Sequence, residues 1–106
     1  MKKIERAGMK VKDLRNTYSG FMGPEGFQAV LTFDKKYDLS IVKHKGSYGG
    51  DRGLYEIAVF KGNSQVELPG ITEEGDTVKG FLKESDVDCI IKKMHLVTGS
   101  TPKQKV

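Results

Sequence analysis

The feature that most constrains this chain is the alternation that begins at Phe27. Phe27, Ala29, Leu31 and Phe33 alternate with Gln28, Val30 and Thr32, the period of a strand with one buried face. After the polar turn Asp34-Lys35-Lys36, the same period resumes with Tyr37, Leu39 and Ile41 against Asp38, Ser40 and Val42. Two such runs joined by three polar residues predict a β-hairpin, and a hairpin with one apolar face needs further strands or a helix to cover it.

The rest of the chain supplies both. Leu54 to Phe60 reads as a third strand, with apolar residues on both faces and hence a central position. Lys61 to Ser64 has turn chemistry, Gln65 to Leu68 returns as a short fourth strand before Pro69-Gly70, and Thr77 to Leu82 gives a short fifth. A helix follows from about Asp86 to Val97: Ser85 is its expected N-cap, Asp86 and Asp88 fall in the first turn, and Gly99 is its expected left-handed stop. Val87, Ile90, Ile91, Met94 and Val97 form its apolar stripe. The expected fold is α+β, an antiparallel four- or five-stranded meander sheet with one C-terminal helix packed on one face.

Residues 27–98 form this single domain, within the size limit that 106 residues set. Residues 1–26 are the least legible. A short helix or strand at 10–16 would use Met9, Val11 and Leu14, with Ile4 and Tyr18 on the same side, between breaks at Gly8 and at Gly20, Gly23, Pro24 and Gly26. MKKIERAG reads as a solvated leader, with Met9 as an alternative start, and residues 99–106 read as a flexible basic tail.

Charge narrows the partners. The net charge is +4, but residues 1–15 carry six bases and two acids while residues 63–91 carry Glu67, Glu73, Glu74, Asp76, Glu84, Asp86 and Asp88 against Lys79 and Lys83. A chain basic at both ends and acidic between does not present a uniform face to phosphate backbones, so nucleic-acid binding through the basic termini ranks behind other readings. No window approaches the ~18 consecutive apolar residues of a membrane span, and no apolar core follows the basic start, so a cytoplasmic, unsecreted protein is expected. Cys89 is the lone cysteine and excludes an internal disulfide.

The loop from Lys45 to Gly53 is long for a hairpin, whose connection usually takes ~2 to 5 residues. Gly46, Gly49, Gly50 and Gly53 permit close approach of the backbone to a ligand, Arg52 offers a forked donor, Tyr48 a flat ring with a hydroxyl, and Lys43, His44 and Lys45 add positive charge. Two readings stand side by side: a contact loop whose binding residues are Lys43, His44, Ser47, Tyr48, Gly49, Gly50, Arg52 and Tyr55, and a solvated connection whose glycines serve only its turns. The order GxxxxGK[ST] is absent, which removes a phosphate loop.

Chemistry at single residues is weaker still. His44 with Ser47, Tyr48 or Asp51 lacks the rigid support a nucleophile and base need. His95 reads as an exposed residue near the helix end, Cys89 as a core or boundary residue, and Glu73, Glu74 and Asp76 as a solvated acidic loop without calcium-loop order. No catalytic residue, metal site or cofactor is expected.

FDKKYDLSIVKHKGSYGGDRGLYEIAVF followed by GDTVKGFLKESDVDCIIKKM resembles a family of small bacteriophage-encoded proteins. The resemblance is carried by Phe33, Tyr37, Ser40, Val42, His44, Ser47, Tyr48, Gly49, Gly53, Leu54, Tyr55, Glu56, Ala58 and Val59. Lys36 stands where the family pattern has glycine before the tyrosine, so the first hairpin is expected to turn differently. The resemblance covers the C-terminal two thirds and brings no catalytic residues. It implies a non-enzymatic accessory protein in the cytoplasm of the infected bacterium, binding a host or bacterial-defence protein as an inhibitor. The alternative is an oligomeric binder of a small anionic, nucleotide-like ligand.

Overall fold

The computed structural model describes residues 9–14, 26–34 and 36–104. The expected leader, its MKKIERAG stretch and the breaks from Gly20 to Pro24 lie outside them.

The alternation from Phe27 builds the sheet as anticipated. Strands β1 (Phe27–Phe33), β2 (Tyr37–Lys43), β3 (Tyr55–Lys61) and β4 (Ser64–Val66) form an antiparallel meander. Strand β5 (Val78–Leu82) returns to pair with β3 beyond β4, so that β4 and β5 share one edge of β3. The pairing Phe33↔Tyr37 closes the first hairpin over residues 34–36. Among its described residues the left-handed one is Asp34 (φ 55°), so the position before Tyr37 does not need glycine there. Lys36 occupies it and reaches the Thr98 carbonyl with Nζ at 3.4 Å, tying the hairpin to the end of the helix.

One face of this sheet is dry. Ala29, Leu31 and Phe33, Leu39 and Ile41, and Ile57 and Val59 are completely buried, whereas their alternating neighbours are half-exposed. Helix α1 (Glu84–Thr98) lies on the dry face and contributes Val87, Ile90, Ile91, Met94 and Thr98. Val97, placed on the apolar stripe from sequence, is 58% exposed; the last inward position falls instead to Thr98, whose hydroxyl donates to the Met94 carbonyl at 2.8 Å. Cys89 is likewise exposed rather than at the core boundary. Gly99 (φ 70°) ends the helix as expected.

Three further boundaries differ. The helix begins two residues earlier than Ser85 suggests, because the Asp86 carboxylate takes the Lys83 N–H at 2.9 Å and makes Lys83 the cap residue. The chain after Gly99 is not wholly a free tail: Ser100 and Pro102 are buried, and Lys103–Gln104 form a sixth strand, β6, against the outer edge of β1. His95 is half-buried, not exposed, and donates Nδ1–H to the Ser100 carbonyl at 2.9 Å, which turns the chain toward that edge.

At the other end of the chain, residues 10–16 were expected to hold a short helix or strand. Val11–Asp13 form a single 3₁₀ turn; Val11 and Leu14 join the core, and the Val11 N–H donates to Asp88 Oδ1 on α1 at 2.7 Å. Among the described residues no buried side-chain polar atom lacks a hydrogen-bond partner, and no helix is long and apolar enough to cross a membrane.

Candidate functional site

The loop between β2 and β3 is built, not slack. Its first turn is closed by Ser47, whose N–H and hydroxyl both donate to the His44 carbonyl (3.0 and 2.8 Å) while its Oγ accepts the His44 N–H at 3.0 Å. The Gly50 N–H then donates to the Ser47 carbonyl, the Arg52 and Leu54 N–H groups to the Gly49 carbonyl, and the Gly53 N–H to the Gly50 carbonyl, around a short 3₁₀ turn at Gly50–Arg52. Five backbone donors that an anion-binding concavity could use, those of Ser47, Gly50, Arg52, Gly53 and Leu54, are directed into the loop itself.

The glycines serve this packing. A Cβ on Gly50 would overlap the His44 carbonyl, and one on buried Gly49, at φ 90°, would come within 2.9 Å of Phe81 Cα on β5. The loop lies against β5. Phe81 donates its N–H to the Tyr48 carbonyl at 3.2 Å, and the Tyr48 N–H is held by Glu56 Oε1 at 2.9 Å.

This docking sorts the expected site residues into different surroundings. Lys43 and His44, with Lys45, Gly50, Asp51, Gly53 and Gly26, line an open cleft of about 550 Å³. Tyr48 lies on a separate depression of about 360 Å³ with Glu73, Asp76, Val78, Lys79, Gly80 and Phe81. Arg52 is exposed and lines neither. Tyr55, expected as a contact residue, is buried: its ring packs edge-on against Phe27 at 5.7 Å, beneath the Lys43 ammonium at 4.8 Å. The strand starts at Tyr55 and sends that residue to the dry face with Ile57 and Val59.

Sequence reading missed Phe81. Its ring is 58% exposed, lies 6.4 Å from the 57% exposed Tyr48 ring and is inclined to it by only 13°. The pairings Tyr55↔Leu82 and Ile57↔Lys79 set two steps on β3 against three on β5, a bulge at Gly80-Phe81. Phe81 has φ 56°, a left-handed conformation that a bulky side chain rarely adopts. The available signal was Gly80, a glycine inside a strand pattern, which marks a bulge or a close backbone approach. Both apply, since a Cβ on Gly80 would overlap the Tyr48 side chain.

The acidic segment facing this pair is also fixed. Ile71 and Thr72 are buried, Thr72 Oγ1 accepts the Leu68 N–H, Glu67 Oε2 accepts the Gly75 N–H at 2.8 Å, and the Glu73 N–H donates to the Val78 carbonyl. Among the described residues no three His, Cys, Asp or Glu side chains gather as a metal site. His44 directs Nδ1–H to its neighbour's carbonyl, on Lys45, at 2.9 Å, while the Ser47 hydroxyl is turned to backbone.

Comparison with protein-family models, with characterised proteins and with solved structures finds no match.

Proposed function

We propose that this chain is a non-enzymatic binding protein that docks on another protein through a surface centred on Tyr48 and Phe81. The observation that carries this reading is the exposed, near-parallel ring pair, presented by a hydrogen-bonded loop and by a bulge that holds Phe81 at positive φ. Strained backbone concentrates where structure presents a functional group, and rigid aromatic side chains concentrate binding energy at protein interfaces. The resemblance to phage proteins supplies the setting: the infected bacterial cytoplasm, with a host or defence protein as the partner and inhibition as the effect.

A small anionic ligand is the second reading, favoured by the cleft that Lys43, His44 and Lys45 line. It ranks below the first because Lys43 already lies over the Tyr55 ring, Asp51 shares the lining, and five of the loop's N–H groups bond within the loop.

Affinity capture from infected-cell lysate, read by mass spectrometry, tests the proposal. Tyr48→Ala combined with Phe81→Asn is expected to lose a protein that the parent chain retains, with Lys43→Ala and Arg52→Ala as comparisons. Undiminished capture by the double variant refutes the ring pair as the contact. Loss confined to Lys43→Ala shifts the site to the basic cleft.

A further inference from the structure

We infer that the depression beside Tyr48 and Phe81 receives an arginine side chain of the partner protein; this rests on the binding role proposed above. Four features of the site converge on a planar cation. The two rings that wall it are more than half exposed and nearly parallel, so aromatic surface is open to solvent there. Glu73 and Asp76 line the same depression with one ammonium, Lys79, leaving acids in excess in a chain whose net charge is +4. Asp76 is held in place: its N–H donates to the Glu73 carbonyl and its Oδ1 accepts the Thr77 N–H at 2.7 Å. The volume, about 360 Å³, is at the small end of ligand sites and suits one or two long side chains rather than a folded element.

Guanidinium fits this combination better than ammonium. It stacks flat on an aromatic face while its forked N–H groups meet a carboxylate, and it gives up water more readily. A phosphate or a carboxylate ligand would meet Glu73 and Asp76 as like charges, so the depression selects against the anions that the separate basic cleft would favour.

The probe is the peptide acetyl-Gly-Arg-Arg-Gly-amide, titrated into the ¹⁵N-labelled full chain at low salt and followed by amide and aromatic NMR shifts. Its citrulline counterpart, which keeps the shape and removes the charge, is titrated in parallel. Shifts are expected to concentrate on Tyr48, Asp76, Gly80 and Phe81, and binding is expected to weaken about threefold to fivefold with citrulline, with Phe81→Asn, or with Glu73→Gln plus Asp76→Asn. Equal shifts with citrulline, or shifts spread over the chain's other carboxylates and unchanged by these substitutions, overturn the inference. If the peptide fails while Tyr48→Ala with Phe81→Asn still abolishes protein capture, the arginine assignment falls and the binding surface stands. If the peptide binds and capture is indifferent to the rings, the depression is a cation site and the proposed function falls.

Discussion

Gly80 lies so close beneath Tyr48 that a Cβ added to it would overlap the tyrosine side chain and come within 3.2 Å of its carbonyl oxygen. The β2–β3 loop therefore docks on β5 at a site that excludes any side chain. Gly80→Ala is expected to cost about 1 to 3 kcal/mol by forced displacement of the loop. Gly62→Ala, at φ 65° with nothing within 4 Å, bears only the left-handed strain, about 1 to 2 kcal/mol. The two differ in signature: Gly80→Ala should erase the NMR contacts between the Tyr48 and Phe81 rings, and Gly62→Ala should keep them. Preserved ring contacts in Gly80→Ala would show that the loop does not depend on this approach.

Asp88 holds the N-terminal turn to the helix by accepting the Val11 N–H at 2.7 Å in a partly buried setting. Removing the carboxylate leaves that donor unsatisfied and loosens Val11 and Leu14 from the core. Asp88→Ala is expected to lower stability by about 1 to 3 kcal/mol and to speed hydrogen exchange at Val11 by at least as much as it lowers global protection. Unaltered exchange at Val11 would deny the carboxylate this role.

The sheet was legible because period-two alternation in Phe27–Phe33 and Tyr37–Lys43 leaves one way to bury Leu31, Phe33, Leu39 and Ile41 together. The helix was legible because Val87, Ile90, Ile91 and Met94 recur at helical spacing. Other features depended on partners distant in sequence. Lys103–Gln104 carry no strand signal of their own and pair with β1 only because His95 and Thr98 turn the chain there. Val11 looks like any isolated apolar residue until Asp88, 77 positions away, takes its N–H. The composition of its loop makes Tyr48 an expected contact residue, but its neighbour Phe81 sits in a run whose alternation a single bulge resets. Loop composition suggested one basic, aromatic surface; the fold divides Lys43 and His44 from Tyr48 and buries Tyr55.

Ile91 tests the helix-on-sheet core. It is fully buried on α1, where an ionised carboxylate would find no water. Ile91→Asp is expected to cost several kcal/mol, enough to abolish cooperative unfolding in a domain of ordinary stability. Leu96→Gln, on the same helix but at a position 71% exposed, should change stability by less than about 0.5 kcal/mol, since it adds no charge at the helix end and keeps helix propensity. Circular dichroism with urea titration separates the two. A cooperative Ile91→Asp transition near that of the parent chain would refute the packing of this face.

Phe81 joins stability to the proposed binding role, and two substitutions separate its contributions. Phe81→Ala removes the ring, whose stacking on Tyr48 contributes about 0.5 to 1.5 kcal/mol, and keeps a Cβ in the left-handed conformation. Phe81→Asn also removes the ring, but asparagine tolerates that conformation through its short polar side chain and recovers about 1 kcal/mol of the strain. Asn is therefore expected to be the more stable of the two by about 1 kcal/mol, and close to the parent chain, while both lose partner capture equally. Urea midpoints measured at unchanged slope give the difference. Equal midpoints for Ala and Asn would mean that Phe81 carries no backbone strain in solution, and the bulge would then lose its standing as a device for presenting the ring.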